Sequence, residues 1–396
     1  MISREPSMIH FIQSTYFENL YKSTRYLTNQ SLTMAFYTNL LVILAITSAS
    51  FAEKCTIREF SQVEEVTKQC KNIVVQDLTV PGNQTLKLSL LDGASLVFQG
   101  KTSFEYFNWK GPLVTIRGNG LKIEGKPGHV LHGNGELYWD GKGAKGVVKP
   151  KFLRIQSVTK STIQNINIKN CPVHCVSIQA SDNVVLSKFN IDNSEGDKNN
   201  FTGHNTDGFD IGSNNIIIKD SIVKNQDDCV AVNRGHNITL SGLKCYGGHG
   251  LSISVGFSKT NFESNTVSNV LFENSLVHFS PNGIHLKTHS DSGPGVMQNI
   301  VYRNIKLEKI ANFGINIQQD YADGEATGIP GTNIPITGLT LENISGYMES
   351  FNKSPTLANY ILCGKGACTD WKFEGIHITG AKNNSSCNYV PEGFTC

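Results

Sequence analysis

The sequence predicts an all-β protein, a parallel β-helix in which short strands wind into stacked coils. Three observations support this prediction. A short β-type phrase recurs along the chain, acidic residues recur at a similar spacing, and 37 glycines with many asparagines suit tight turns between strands. Because a solenoid grows by adding coils, we expect the 396 residues to form one elongated domain rather than two or three.

The recurring phrase is an asparagine followed by three β-prone residues, and successive copies start 32, 22, 32 and 30 residues apart. The copies are NVVL at 183–186, NIII at 215–218, NITL at 237–240, NVLF at 269–272 and NIVY at 299–302. Repeats of this length without helical periodicity indicate a β-helix. Since neighbouring strands lie about 4.8 Å apart, residues one coil apart are expected to be neighbours in space.

The N-terminal segment is predicted to be a targeting signal. Residues 40–46 form an apolar run too short to cross a bilayer, and 50–52 (SFA) has the small-x-small pattern of a cleavage site. We therefore expect a signal peptide at 34–52, an upstream extension at 1–33 and a mature, secreted domain at 53–396. The alternative is that the N-terminal stretch anchors the protein in a membrane.

Ten cysteines in a secreted chain are expected to be mostly paired. The pairs closest in sequence are Cys55 with Cys70, Cys229 with Cys245, Cys363 with Cys368, and Cys387 with Cys396. Cys171 and Cys175 either bridge each other or stay buried, because spacing alone does not fix connectivity. Sequons at Asn83, Asn200, Asn237, Asn343, Asn352, Asn383 and Asn384 are typical of a secreted glycoprotein.

Both ends of the solenoid are expected to be covered. Residues 55–75 predict a short amphipathic capping helix closed by a disulfide, since an open coil end exposes core and unpaired backbone. Residues 379–396 resemble a C-terminal clamp with two cysteines. Short strands are predicted between them, for example at 95–98, 113–116 and 121–123, with polar loops at 194–203 and 289–296.

Three acids and one histidine are the candidate catalytic residues. Asp207 lies 20 residues before the pair Asp227-Asp228, and His249 follows Asp228 by 21, which places Asp207, the pair and His249 about one coil from one to the next. Carboxylates held this close repel one another, so a fold keeps them mainly for function. The alternatives are a calcium site or solvated turn aspartates. Glycines on both sides of His249 suggest a backbone that a ligand approaches closely.

Paired acids without an obvious nucleophile are typical of glycoside hydrolysis, in which one acid protonates the leaving oxygen and others activate water. Like-charge neighbours raise the pKa of one carboxyl and keep it protonated, so an acidic optimum is expected. Lys287 lies 38 residues past His249 and is a candidate to bind an anionic sugar, although a solvated surface lysine is the alternative. The net charge of +2 argues against a nucleic-acid partner, and a monomer is expected.

The motifs resemble those of polygalacturonases of glycoside hydrolase family 28, in particular the endo-acting enzymes of fungi and plant-feeding insects. The resemblance covers nearly the whole mature chain. It rests on GHNTDGFDIGS at 203–213, NQDDCVAVN at 225–233, GGHGLSI at 247–253, QDY at 319–321 and YILCG at 360–364.

This resemblance implies a single-stranded, right-handed parallel β-helix of the pectin-lyase-like type. It also implies hydrolysis of α-1,4 bonds in polygalacturonate with inversion, without a metal or other cofactor, and plant polygalacturonase-inhibiting proteins as possible partners. Asp227 then corresponds to the general acid, Asp207 and Asp228 to the residues that activate water, and His249 to a proton-sharing partner of Asp227. The implied substrate contacts are Lys287, Tyr321 and Asn205.

One position departs from the family pattern. The chain has His285-Leu286-Lys287 where the family has Arg-Ile-Lys, and the arginine offers a fixed fork for a carboxylate at any pH. Since histidine is charged only below about pH 6.5, we expect substrate binding that improves in acid, and a higher turnover in His285→Arg.

Two other readings compete with an active hydrolase. A pectate lyase shares the β-helix but needs calcium and a basic proton abstractor, usually arginine, and the nearest arginine in sequence, Arg234, has no evident role. A catalytically weakened relative that binds pectin or decoys plant inhibitors is favoured by His285. The intact acid cluster opposes this second reading.

Overall fold

The computed structural model describes residues 54–198, 202–322, 324–351 and 354–396, together with Arg25, Met34, Tyr37 and Thr38. The chain divides into two units, Met1–Cys55 and Thr56–Cys396. The predicted upstream extension and signal peptide lie almost wholly outside the described residues. Among those residues, none belongs to a helix that is both long and apolar enough to cross a membrane.

The second unit is a right-handed parallel β-helix. Its strands within the described residues are β1 (Thr56–Ile57), β2 (Asn72–Gln76), β3 (Thr79–Val80), β4 (Leu86–Ser89), β5 (Ser95–Gln99), β6 (Lys101–Phe104), β7 (Val114–Asn119), β8 (Lys122–Gly125), β9 (Val130–His132), β10 (Leu153–Gln164), β11 (Asn167–Lys169), β12 (Val176–Ser187), β13 (Asn190–Asp192), β14 (Phe209–Lys219), β15 (Ile222–Lys224), β16 (Val230–Ser241), β17 (Lys244–Tyr246), β18 (Leu251–Val255), β19 (Thr266–His289), β20 (Val296–Ala322), β21 (Glu325–Ala326), β22 (Ile336–Met348), β23 (Leu357–Leu362), β24 (Cys368–Thr369), β25 (Lys372–Thr379) and β26 (Ser386–Cys387).

Within residues 54–198, 202–322, 324–351 and 354–396, helical structure is confined to short segments. The α-helix α1 (Val63–Gln69) follows a 3₁₀ turn at Phe60–Gln62, and it buries Val63, Val66 and Thr67. Further 3₁₀ turns are Gly135–Leu137, Gly143–Lys145, Ser194–Asp197 and Glu263–Asn265. The predicted N-terminal capping helix is therefore confirmed.

The strands stack in three parallel faces, and one of them carries the functional residues. We call it the cleft sheet. It runs through β4, β7, the first halves of β10, β12, β14 and β16, then β18, the C-terminal ends of β19 and β20, β23 and β26. Alternate residues of each strand point inward, where Ile155, Ile178, Ile211 and Val232 fill the core without exposure to solvent.

The recurring asparagines explain the repeat that the sequence shows. Asn183, Asn215, Asn237, Asn269 and Asn299 all have φ between 53° and 55°, the left-handed region that asparagine tolerates better than most residues. They stack in a ladder: Nδ2 of Asn237 donates to Oδ1 of Asn215 at 3.0 Å, and Nδ2 of Asn299 to Oδ1 of Asn269 at 3.1 Å. Each asparagine therefore turns the chain at the same corner of successive coils.

The disulfides agree with the predicted pairs where the structure shows them. Cys229 is bonded to Cys245, Cys363 to Cys368, and Cys387 to Cys396. Cys171 is bonded to Cys175, which resolves the alternative that the sequence left open. Cys55 and Cys70 are each disulfide-bonded, and no described cysteine is free.

Candidate active site

The stacking of coils brings the predicted acids together at one edge of the cleft sheet. Asp207, Asp228 and His249 each lie two residues before the first residue of β14, β16 and β18, and those first residues pair in register, Phe209 with Val230 and Val230 with Leu251. Backbone hydrogen bonds continue the stacking into the preceding turns, because the Gly208 amide donates to the Asp228 carbonyl at 2.9 Å. Residues about 21 positions apart in the sequence are therefore separated by only one strand-to-strand distance in the sheet.

Asp227 is held by three donors. Its Oδ1 accepts a hydrogen bond from the Asp228 amide at 2.7 Å and lies 3.2 Å from Nδ1 of His249. Its Oδ2 accepts from Nδ2 of Asn205 at 3.0 Å. Asn205 is fixed in turn, because its Oδ1 accepts from the amide of Ala144 at 2.9 Å. Asn205 therefore links Asp227 to the loop that contains Gly143–Lys145.

Asp228 forms a buried ion pair with Lys287. Nζ of Lys287 lies 2.9 Å from Oδ2 of Asp228, and only 7% and 4% of the two side chains are exposed. The other carboxylate oxygen accepts a hydrogen bond from Oγ of Ser252 at 2.6 Å. Lys287 also lies 5.2 Å from the centre of the Tyr321 ring, within the range of a cation–π contact. The alternative of a solvated surface lysine is therefore wrong.

Asp207 faces a histidine that sequence reasoning missed. Nδ1 of His174 lies 2.7 Å from Oδ2 of Asp210 and 3.5 Å from Oδ1 of Asp207. Asp210 belongs to the quoted motif at 203–213, where its position three residues after Asp207 was the available signal. His174 lies between two cysteines one coil earlier, and no local pattern marks it.

The four candidate residues line an open cleft of about 1130 Å³. Lys287, Tyr321 and Asn205 also line it, as the resemblance implies, whereas His285 does not. The cleft residues that sequence reasoning did not assign include Lys142, Lys145, Lys151, His174, Gln179, His204, Asp210, Arg234, Phe257 and His289. A cleft of this size, open at its surface, suits a polymer better than a small molecule.

Electrostatics divide the acids into two kinds. Burial disfavours the charged form of His249, but the adjacent Asp227 carboxylate outweighs this effect and raises the pKa of His249 to about 9. Burial also disfavours the charged form of Asp227, but the charge of His249 outweighs it and lowers the pKa of Asp227. Burial and the Asp227 charge hold the pKa of Asp207 well above its usual value. In the free protein the proton of the Asp227–His249 pair thus lies on His249. Burial and the Asp227 charge also raise the pKa of Asp228, so the raised pKa predicted for one carboxyl falls on Asp207 and Asp228 rather than on Asp227.

His285 does not behave as its sequence position suggested. It is 7% exposed, and its Nε2 lies 3.3 Å from Oε1 of Gln318. Burial and the neighbouring charge of Lys287 hold the pKa of His285 well below its ordinary value. This lowered pKa argues against the expectation that a protonated His285 strengthens binding in mild acid, and the effect of His285→Arg stays a prediction.

The glycines around His249 also have a different role from the predicted one. A Cβ on Gly248 would lie 2.3 Å from the carbonyl oxygen of Asp227, and a Cβ on Gly250, whose φ is +90°, would lie 2.4 Å from the carbonyl oxygens of Asn282 and Gly283. The backbone is approached closely by adjacent coils. These glycines permit the stacking that positions His249.

Two clusters have donors close enough to hold a cation. The donor atoms of His174, Asp207 and Asp210 lie within 4.8 Å of one another, as do those of Asp227, Asp228 and His249. In the second cluster Lys287 and His249 already balance the carboxylates. A divalent cation there would have to displace or repel these positive groups. The expectation that the protein needs no metal remains a prediction.

His174 predicts a pH-dependent stability. Burial lowers its pKa, but Asp210 and Asp207 raise it to about 9, so its charge stabilises the fold fully below the unfolded pKa of 6.5 and the stabilisation is lost as pH rises towards 9. We expect the free energy of unfolding to fall by on the order of 3 kcal/mol over this range because of His174. Urea unfolding of wild type and His174→Gln at pH 6 and pH 9 measures it.

The control for this measurement is His236→Gln, which replaces an exposed histidine outside the cleft. The pH dependence should shrink in His174→Gln and persist in His236→Gln. Equal pH dependence in all three proteins would contradict the assignment.

The sequence of this chain is similar to those of known glycosyl hydrolases. The family model for glycosyl hydrolases family 28 matches residues 70–396. A polygalacturonase of Phaedon cochleariae is 46% identical over 359 residues, which cover 89% of this chain and 96% of that protein. A probable endopolygalacturonase A of Aspergillus fumigatus is 46% identical over 346 residues, which cover 86% of this chain and 91% of that protein.

A solved structure shows the same fold. Endopolygalacturonase I from Stereum purpureum, complexed with two galacturonate, superposes with a TM-score of 0.75 at 31% sequence identity, and the match covers 84% of this chain and 96% of that one. With the family model matching most of the chain and the acids stacked in one cleft, this protein belongs to the glycosyl hydrolases of family 28.

Proposed function

We propose that this enzyme hydrolyses the α-1,4 bonds of demethylated pectin, polygalacturonate, that it cuts within the chain, and that it inverts the anomeric centre. The observation that carries the proposal is the gathering of Asp207, Asp227, Asp228, His249 and Lys287 in one open cleft. The names of the relatives, which include a polygalacturonase and an endopolygalacturonase in complex with galacturonate, support the substrate class.

Asp227 is the proposed general acid, and His249 supplies its proton. The two share one proton across 3.2 Å, and the charged form of the pair depends on solvation. A bound sugar excludes water, which raises the free energy of the charged pair formed by the His249 imidazolium and the Asp227 carboxylate. The proton therefore moves from His249 to Asp227. Asp227 then protonates the oxygen of the leaving sugar, while Asn205 keeps Oδ2 oriented.

Asp207 and Asp228 are the proposed pair that positions and deprotonates the attacking water. The pKa of Asp207 lies well above its usual value, so its carboxylate is a strong base once it is ionised. Asp228 has Ser252 on one oxygen and Lys287 on the other, which makes it a poor nucleophile and a good anchor for water. Direct attack by water gives inversion.

The distance between the carboxylates and the family resemblance predict different stereochemical outcomes for the reaction. The donor oxygens of Asp227 and Asp228 lie within 4.8 Å, shorter than the separation of about 6.5–9.5 Å usual for inverting enzymes. The general distance rule therefore favours retention, whereas the resemblance implies inversion. Because Ser252 and Lys287 contact the two carboxylate oxygens of Asp228, this carboxylate is a poor nucleophile, which favours inversion.

Lys287 and Tyr321 are the proposed contacts of the sugar next to the cleaved bond. Lys287 is fixed by Asp228 and carries a permanent charge, because Asp228 outweighs the effect of burial and raises its pKa. That charge can attract a galacturonate carboxylate. Tyr321 presents its ring beside it at the cleft surface.

The alternative of a decoy or a weakened binder rested on His285. His285 does not line the cleft, whereas Asp227 remains paired with His249 and Asp228 with Lys287. No observation favours the binding role. Secretion, a monomeric state and a plant inhibitor protein as partner remain predictions of this proposal, as does glycosylation.

Viscosity and reducing ends distinguish the mode of cleavage. We expect polygalacturonate solutions to lose half their viscosity while few new reducing ends form, because internal cuts shorten a polymer faster than they release ends. The assay is run from pH 4 to 7, with chelator present to exclude a lyase that needs calcium. Reducing ends that rise in proportion to the fall in viscosity, or an ultraviolet-absorbing unsaturated product, would contradict the proposal.

A further inference from the structure

Arg234 owes its position to an irregularity in β16. Ile211 of β14 pairs with Val232, whereas Gly212 pairs with Arg234, so Asn233 is an extra residue in this strand. A bulge of this kind redirects the side chain that follows, and bulges are common beside active sites. Arg234 accordingly lines the cleft that contains the catalytic acids.

Two contacts fix the guanidinium of Arg234 over the cleft sheet. Nε donates to the Gly212 carbonyl at 3.4 Å, and one terminal nitrogen donates to Oε1 of Gln179 at 3.2 Å. Gln179 is oriented by its own donation to Oγ of Ser177 at 3.3 Å. These contacts use two of the five N–H donors of an arginine, so three remain for a ligand.

Gly212 leaves the space that this arrangement needs. A Cβ added to Gly212 would lie 2.5 Å from Oε1 of Gln179 and 3.1 Å from Nε of Arg234. Either side chain would have to move. The backbone at Gly212 is not in the left-handed region, so alanine can be introduced there without strain of the main chain.

The charge of Arg234 is not balanced by a neighbouring acid. Among the ion pairs of residues 54–198, 202–322, 324–351 and 354–396, none involves Arg234, whereas Lys287 pairs with Asp228 and His249 with Asp227. Lys142, Lys145 and Lys151 also line the cleft, but each is a flexible ammonium group. The guanidinium of Arg234 is held in one orientation and still has N–H donors available for a ligand.

We propose that Arg234, oriented by Gln179 and Gly212, binds the carboxylate of a galacturonate residue that is not at the cleaved bond and so selects for a demethylated unit there. The inference rests on the proposed function. Its side chain reaches back to Gln179 on β12, whereas Lys287 projects from β19, so the two cations contact different units of the polymer. A methyl ester removes the negative charge of the carboxylate and blocks one of the two oxygens that would accept hydrogen bonds from the guanidinium.

The test compares Arg234→Gln, Arg234→Lys and Gly212→Ala with wild type on polygalacturonate and on highly methyl-esterified pectin. We expect Arg234→Gln to raise KM for polygalacturonate about tenfold with little change in kcat, because a charge-assisted contact made before and during the reaction is lost. The preference for polygalacturonate over esterified pectin should fall by a similar factor. Arg234→Lys should restore part of it, and Gly212→Ala should lie between wild type and Arg234→Gln.

Arg303→Gln is the matched control, since Arg303 pairs with Glu342 on another face of the β-helix. An unchanged KM in Arg234→Gln, or an equal loss of activity on both substrates, would overturn the inference. Should the wild type not cleave polygalacturonate, the proposed function fails. Calorimetry of oligogalacturonate binding to Asp227→Asn with and without Arg234→Gln then decides the role of Arg234: a tenfold weaker affinity supports it, and equal affinities reject it.

Discussion

Replacement of Asp227 by asparagine is expected to lower kcat on polygalacturonate by about 10³-fold, within the range typical of a lost general acid. Asparagine keeps the size of the side chain and still accepts the hydrogen bond from Asn205. It can neither take the proton of His249 nor pass it to the leaving oxygen. KM should change little, because the groups proposed to bind the sugar are untouched. Initial rates of reducing-end release measure both constants.

The matched control is Asp220→Asn, an exposed turn residue outside the cleft, which should retain wild-type kinetics. Circular dichroism and thermal unfolding should show that Asp227→Asn is folded. A kcat within about tenfold of wild type would remove Asp227 from the role of general acid. The proton donor would then have to be Asp207 or Asp228, since burial raises the pKa of both carboxyls.

Lys287→Met is expected to cause the largest loss of stability in the cleft. The substitution leaves Asp228 buried without its partner, and breaking a buried ion pair costs about 3–5 kcal/mol of the free energy of unfolding. Activity should also be lost, because the proposed sugar-binding charge is gone and Asp228 tends to take up a proton. Chemical denaturation at pH 6 and initial rates measure the two effects.

Asp228→Asn combined with Lys287→Met separates these effects. The double variant has no unpaired charge, so it should recover about half or more of the lost stability while remaining inactive. Lys244→Met, at an exposed position of β17, is the control for the loss of a lysine. A single variant as stable as wild type, or a double variant no more stable than the single one, would show that the ion pair does not act as described.

The fold was predictable from the sequence because its determinants are local and repeated. An asparagine at the same left-handed corner of several successive coils, followed by alternating apolar residues, is visible along the chain without knowledge of contacts. The same periodicity predicted that Asp207, Asp227, Asp228 and His249 stack. Their spacing of about one coil is confirmed by the register of the strands that follow them.

Other features depended on three-dimensional context. His174 reaches Asp207 from the preceding coil, and Arg234 enters the cleft because of a bulge that the sequence does not mark. The pKa of His285 depends on burial and on Lys287, neither of which can be read from its own position. Charge state and side-chain direction are properties of the assembled coils.

In the proposed mechanism, Asp207, Asp227 and Asp228 cleave a polygalacturonate chain by direct attack of water. Proton NMR of the earliest products of polygalacturonate digestion tests it most directly. We expect the new reducing ends to appear first as the β-anomer, from inversion at an α-linked carbon, and the α-anomer to form only by mutarotation. Early appearance of the α-anomer would show a covalent intermediate and would exclude direct attack of water.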